Sequence, residues 1–413
     1  MRIGLSYLFA AIFGVSTAII FKDSTLLANG LTGISKVFYN LGTAMFILLI
    51  IFTLPAAVAS LKKDKILGKA SAVNLLVIFK FAITLPVIAV LMFYLFKTSF
   101  PTTSSASLTS TSSTFISSVF LNIKSLILET TNFFTLGIYP YTLALPLVVL
   151  AIIIGLAFTP STDVVKPAYV VLNSFSEVMY RLSKMFTLFS YIMVFFFANQ
   201  LTLALIIDET IFVRLDFVIY VLAFTAITYL VVTPLIFLVF SKGKLNPYKK
   251  SYLGLSLMAF FSGSSSYTSV VTMNVARNNL GVQKRITSFA TIINNVFAKG
   301  GTAAIATIVI FSLLHSYQSL PTSFLDIVYL LAFIIIASFL SSLAYNTELI
   351  FTVFFALSLA NINLYGAEMS ILGIVVLLNG LALVLDSQIA LLSSALIAIK
   401  TNTDIEVAQK DLI

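Results

Sequence analysis

The chain has 413 residues, 60% of them hydrophobic and 9% charged, and its mean hydropathy is +1.08. A soluble domain carries about 25% charged residues, so this composition excludes a soluble globular protein and predicts an all-α membrane protein. The absence of cysteine, the single histidine and the formal net charge of +9 exclude disulfide frameworks, thiol nucleophiles and most histidine-based hydrolysis.

Apolar runs of roughly 20 residues are long enough to span a bilayer. In chain order they lie at 3–21, 39–60, 71–96, 138–158, 168–206, 212–240, 286–314 and 369–400, which predicts eight transmembrane helices. The first run has no clean small-residue cleavage site after it and reads as a membrane helix rather than a leader. Two further apolar stretches, about 250–277 and 322–360, are interrupted by polar residues. Broken helices survive at membrane depth only where protein or a watery cavity receives their backbone, so both read as re-entrant helical hairpins.

The basic residues fall in separate clusters: Arg2, Lys62-Lys63-Asp64-Lys65 with Lys69, Lys242 to Lys250, Arg277 with Lys284-Arg285, and Lys400. With a cytoplasmic N-terminus they share one side, as the positive-inside rule requires. The basic balance is therefore topogenic, in contact with the lipid bilayer, and not a nucleic-acid surface. A multi-pass protein of a bacterial cytoplasmic membrane is expected. Lys97 to Ser118 is a Ser/Thr-rich low-complexity stretch and reads as an outer loop.

The chain divides near residue 240. Spans in 1–240 hold few internal polar groups and read as mainly scaffold, whereas interrupted segments fill 241–413 and read as the site-bearing core. A hairpin followed by a helix occurs twice there, at about 250–314 and 322–400, the weak internal repeat of an inverted-topology transporter.

The candidate site residues come from those interruptions. Ser264, Ser265, Ser266 and Thr268 lie in the break of the first hairpin, where hydroxyls and half-helix N–H groups favour an anion; a plain serine-capped turn is the alternative. Lys299 precedes Gly300, Gly301 and Thr302 within the 286–314 span. A charge at the centre of a span costs at least ~2.5–3.5 kcal/mol, so Lys299 meets a partner, water or a substrate carboxylate, or else snorkels to the interface. Lys80 poses the same choice in the third span. Asp386, with Ser387 and Gln388, is the carboxylate inside the last span. It can pair with Lys299, hold a substrate ammonium, or form a purely structural ion pair. Asn294 and Asn295 read as hydrogen-bonding glue between helices, Glu177 and Arg181 as an i, i+4 pair, and His315 as an interfacial residue. No catalytic triad, P-loop or metal-spaced histidine set is present, and an enzyme is not expected.

The first hairpin tip, Gly263-Ser264-Ser265-Ser266-Tyr267-Thr268 followed by Val271-Thr272-Met273, resembles the Arg-Ser-Ser-Ser-Gly-Thr tip of the glutamate transporter homologue family, the dicarboxylate/amino acid:cation symporters. Val275-Ala276-Arg277 and Ser288-Phe289 continue in register, Asn173 to Leu182 looks like the family's fifth-helix entry, and Leu61 to Gly68 like its second cytoplasmic turn. Topology matches along most of the chain, and specific residues match from about 165 to 305. The resemblance implies a homotrimeric elevator-type transporter with a fixed scaffold. Its moving domain would comprise both hairpins and helices seven and eight, with helix three associated. The substrate-binding set it suggests is Ser264, Ser265, Ser266, Thr268, Thr302, Asp386 and Ser387.

The departures alter the expected coupling. The family's Asn-Met-Asp-Gly-Thr stands here as Ala298-Lys299-Gly300-Gly301-Thr302, without the asparagine and aspartate of its sodium sites. Lys299, and Lys80 near a third such site, would then stand in for a cation. In the last helix, alignment on Lys400 puts Gly380, Leu383 and Leu391 at the family's substrate and sodium positions; a one-residue shift puts Asn379 and Asp386 on polar positions instead. The second tip, Ser341 to Glu348, lacks the family's glycines. The expectation is a secondary transporter of a small amino acid or carboxylate with no cofactor, no bound metal and altered or lost sodium coupling. The alternatives are an anion transporter using Lys299 and a non-transporting receptor or scaffold of the same fold.

Overall fold

The computed structural model describes residues 2–22, 25–100, 144–158, 163–207, 215–243, 253–317, 323–343, 347–362, 364, 371 and 373–403. Among them every principal element is helical: α1 (Arg2–Ile20), α2 (Thr25–Lys63), α3 (Leu67–Phe96), α4 (Ala144–Ala157), α5 (Lys166–Ile207), α6 (Leu215–Phe240), α7 (Leu253–Ser262), α8 (Ser265–Asn278), α9 (Lys284–Phe297), α10 (Gly300–Tyr317), α11 (Phe324–Leu340), α12 (Glu348–Leu359) and α13 (Val375–Thr401). Most of the low-complexity stretch and the start of the predicted fourth span lie outside the described residues.

Among the described residues, six segments are long and apolar enough to cross a membrane: Gly30–Lys63, Leu67–Phe96, Lys166–Ile206, Leu215–Phe240, Lys284–Tyr317 and Val375–Thr401. With Phe9, Phe13, Leu95, Val239 and Phe324 all more than half exposed, the outer surface is an apolar belt too extensive for water. The chain is a multi-pass membrane protein.

Burial separates inner from outer helices. The most apolar window of the α9–α10 segment is 94% buried and that of α13 83%, against 44% for α3 and α5 and 39% for α6. Helix α13 is the hub: α7, α8, α9, α10, α12 and α3 all pack on it, and every residue from Leu377 to Ala398 is buried. Around this hub, α1 and α2 pack on α5, and α2 also packs on α4.

Small residues set the close approaches. A Cβ on Gly14 would lie 2.4 Å from the Phe195 carbonyl oxygen across the α1–α5 contact. Gly14→Ala must push two helix backbones apart, and a stability loss of about 1–3 kcal/mol is expected, read as a lower Tm in detergent. Gly68→Ala, with nothing within 4 Å of the added carbon, is the control and should leave Tm unchanged.

Three helix interruptions shape the core. In α6, Pro234 has no N–H to donate four residues back, and the helix widens into a π-turn over Thr228–Val232. The Tyr229 carbonyl there accepts from Gln388 Nε2 of α13 at 2.8 Å. Between α7 and α8 the chain turns through Gly263 at φ +55°, a left-handed geometry that favours glycine. The long apolar span predicted at 286–314 is two helices, α9 and α10, separated at Ala298-Lys299. The break is tight because both glycines after it sit under neighbouring backbones: a Cβ on Gly300 would be 3.0 Å from the Phe81 carbonyl of α3, and one on Gly301 2.6 Å from the Ala382 carbonyl of α13.

Basic side chains at the start of α9 meet acids of the outer helices. Lys284 pairs with Glu177 of α5 at 2.9 Å and Arg285 pairs with Asp64 beyond α2. Glu177 also meets Arg181 at 3.5 Å, the expected i, i+4 pair.

Candidate functional site

The tips of the two helix pairs and the break in α9–α10 converge. Lys299 Nζ lies 3.0 Å from Glu348 Oε1, and the Ser265 hydroxyl donates to the same carboxylate oxygen at 2.5 Å. Lys299 also donates to Ser265 Oγ at 3.3 Å. Lys299 is 1% and Glu348 0% exposed. Glu348 opens α12, where the helix dipole favours a carboxylate. One buried ion pair therefore ties α8, the break before α10 and α12 together.

Asp386 takes a different partner from the one its charge suggested. Its Oδ1 accepts the Gly301 N–H at 2.6 Å, and its Oδ2 accepts the Thr302 hydroxyl at 2.6 Å and the Thr302 N–H at 3.3 Å. It is a side-chain cap, supplied by α13, for the orphan donors that open α10. Asp386 lies within electrostatic reach of both Lys299 and Glu348, but the contact ion pair is Lys299–Glu348.

The remaining expected site residues divide. Ser264 is buried, with its N–H on Ser262 Oγ at 3.2 Å and its carbonyl accepting from the Thr268 hydroxyl at 2.7 Å. The Thr43 hydroxyl of α2 donates to Ser266 Oγ at 3.5 Å. The break is shorter than the Ser/Thr run suggested, because α8 already begins at Ser265; Thr268 back-bonds within its helix. Ser387 likewise donates to the Val384 carbonyl of its own helix at 2.9 Å. Lys80 stands apart from the cluster: it is exposed, with its ammonium 3.9 Å over the Phe240 ring at the end of α6. That is the snorkelling position rather than a buried cation's.

Two asparagines also depart from the expectation of interhelical glue. Asn295 Nδ2 donates to the Thr291 carbonyl of its own helix at 2.8 Å. Neither amide atom of buried Asn294 has a hydrogen bond. His315 is partly buried at the end of α10, edge-on to Phe93 with ring centroids 6.2 Å apart.

A cleft of about 380 Å³ opens beside the tips. Its lining includes Ser262 and Gly263 between α7 and α8, Thr347 and Ile350 at the start of α12, Asn379 of α13, and Tyr39, Asn40 and Gln200 of α2 and α5. Among the described residues, Lys36 is the charged side chain lining it. Asn379 Nδ2 donates to the Gly263 carbonyl at 2.8 Å, which fixes the amide, while its Oδ1 has no hydrogen bond. The cleft thus offers hydroxyls, amides, one cation and one buried unpartnered acceptor.

Glu348 and the cleft residues Lys36, Asn40 and Gln200 were not singled out by sequence reasoning. Glu348 did carry a signal: it is an acid placed directly before Leu349-Ile350-Phe351 in an apolar stretch, a position that demands a partner. Lys36, Asn40 and Gln200 look like ordinary polar residues of helix ends until the fold brings α2 and α5 to the tips.

Comparison with known families gives one match over most of the chain: the model of the sodium:dicarboxylate symporter family covers residues 3–387. Among curated proteins no match is found.

Proposed function

The chain belongs to the sodium:dicarboxylate symporter family, and from that premise we propose that it is a secondary transporter of a small amino acid or carboxylate, bound in the cleft between the two tips. The observation that supports this reading most directly is the cleft itself. Its size falls within the roughly 300–1,000 Å³ of small-molecule sites. Two helix interruptions border it, the setting in which transporters bind solutes. A zwitterion suits the lining: Asn379 Oδ1 is an acceptor for an ammonium, and Lys36 supplies a cation for a carboxylate.

The reading includes eight spans and two re-entrant hairpins (α7–α8 and α11–α12), and a homotrimer in a bacterial cytoplasmic membrane. The hub around α13, with α3, would move against α1, α2, α4 and α5 in an elevator mechanism. Sodium coupling is altered or lost, Lys299 bringing a tethered positive charge into the core. An anion held by Lys299 is the weaker reading, because Glu348 already engages that ammonium.

Thermal unfolding of the purified protein against amino acids, dicarboxylates and inorganic anions, in sodium or choline salts, tests the assignment. A solute at 100 times its Kd stabilises the folded state by about 2.7 kcal/mol. The expected result is a shift with an amino acid or carboxylate, equal in both salts and lost in Asn379→Leu. No shift with any solute would favour a receptor or scaffold, and a shift that requires sodium would contradict the altered coupling.

A further inference from the structure

We propose that Tyr267 is a key that locks the α7–α8 helix pair to α2 and α5. Its ring fills a slot that Gly42 keeps open, and the hub moves against the outer helices only once the ring is withdrawn. This rests on the reading above that the hub moves, but it concerns what holds the hub, not what it carries.

The slot is built from two outer helices. A Cβ on Gly42 of α2 would lie within 2.8 Å of three Tyr267 ring carbons, Cδ2, Cε2 and Cζ, so no side chain fits beneath the ring where it stands. Small residues at helix contacts in membranes admit a neighbour in this way. The phenol hydroxyl donates to the Phe38 carbonyl of α2 at 2.6 Å. Phe186 and Phe197 of α5 flank the ring, each with its centroid 5.1 Å away. The key is thereby fully enclosed, with an exposure of 0%.

The slot also has stops. Phe38 and Phe46 stand four residues before and after Gly42, one turn away on the same face of α2, and Phe46 is itself buried. A ring seated between them cannot slide along α2. It must lift out, giving up its aromatic neighbours and the acceptor of its hydroxyl together. Packed interfaces of this kind have discrete arrangements rather than a continuum.

The rest of α8 lies along α5 in the same register. Asn274, two turns on from Tyr267, donates from Nδ2 to the Ser183 carbonyl at 3.0 Å and to Thr187 Oγ1 at 2.8 Å. Arg277 sets its guanidinium 4.0 Å over the Tyr180 ring. These contacts can exchange partners as helices shift, whereas the ring in its slot is a steric obstacle. The register held by the key is the one that completes the cleft. Lys36 and Asn40, two residues either side of Phe38, line it, and Phe197 both flanks the ring and lines it.

The chain contains no cysteine, so two introduced thiols report the position of the hub without interference. Lys184→Cys on α5, at an exposed position, and Lys400→Cys near the end of α13, at a partly exposed one, take nitroxide labels. Labelled protein is diluted into unlabelled protein so that each nanodisc holds at most one labelled copy, and the distance distribution is measured by pulsed electron paramagnetic resonance. One distance is expected for the wild type, with any second one below about 10% of molecules, the ordinary population of a minor state. Tyr267→Ala should raise a second distance to a resolved population. Gly42→Ala, which fills the slot and leaves the ring, should do the same, and it serves should Tyr267→Ala not fold. Combined with Tyr267→Ala, it should add nothing further, because the ring it would meet is gone. Tyr267→Phe, which keeps the ring, should retain the single distance. Gly14→Ala is the control for simple destabilisation: its contact lies between α1 and α5, so it should lower Tm with the distance unchanged. A single wild-type distance in both Tyr267→Ala and Gly42→Ala, a wild type already as divided as those variants, or a second distance in Tyr267→Phe or Gly14→Ala would overturn the key. Because no solute is present, the key can stand where the solute screen fails, and fall where it succeeds.

Discussion

Lys299→Met is expected to destabilise the folded protein by about 3–5 kcal/mol, and Glu348→Leu by a similar amount, because each leaves the opposite charge buried without its partner. The pair is 3.0 Å apart, and both residues are essentially inaccessible. The double variant Lys299→Met/Glu348→Leu removes both charges and substitutes apolar side chains, a replacement that is often neutral or stabilising. It should recover most of the loss, giving a large favourable coupling in a double-mutant cycle. Unfolding in detergent by heat or denaturant checks this. Single variants within about 0.5 kcal/mol of wild type, or a double variant as unstable as the sum of the singles, would mean that the ion pair is not formed in the folded protein.

Asp386→Ala should cost about 3 kcal/mol or more, since the N–H groups of Gly301 and Thr302 and the Thr302 hydroxyl lose their acceptor at a buried helix start. Asp386→Asn keeps an amide oxygen facing those donors and should lose only part of that, and Thr302→Val less again. Ser387→Ala, which removes a bond confined to its own helix, should fall within about 0.5 kcal/mol of wild type. The order separates a structural cap from a substrate ligand. An Asp386→Ala protein with unaltered unfolding but abolished solute binding would return Asp386 to the binding site.

Membrane embedding, helix type and the places where helices break were legible because each leaves a local mark: apolar run length, a serine-rich interruption, a Gly-Gly pair beside a mid-span lysine. The partner choices were not. Lys299 has two acids within reach, Asp386 and Glu348, and which one it contacts depends on how α12 and α13 pack around the break. Sequence reasoning weighed only Asp386, the acid inside a long apolar span, and so missed that a helix start needs an acceptor more than the lysine does. Lys80 illustrates the converse. Its sequence surroundings match those of a buried site, yet α3 turns it outward to Phe240. The glycines were visible, but not their purpose: Gly300 and Gly301 admit the backbones of α3 and α13 to the break. The cleft was the least legible feature, because half its lining comes from α2 and α5, far along the chain from the tips.

The most direct test of a transport function is uptake by the purified protein in proteoliposomes, using radiolabelled amino acids and dicarboxylates with sodium or choline outside and an imposed proton gradient. The expected result is saturable accumulation of at least one solute above protein-free vesicles, independent of sodium and lost in Asn379→Leu. Folded, inserted protein that neither accumulates nor exchanges any of them would contradict it.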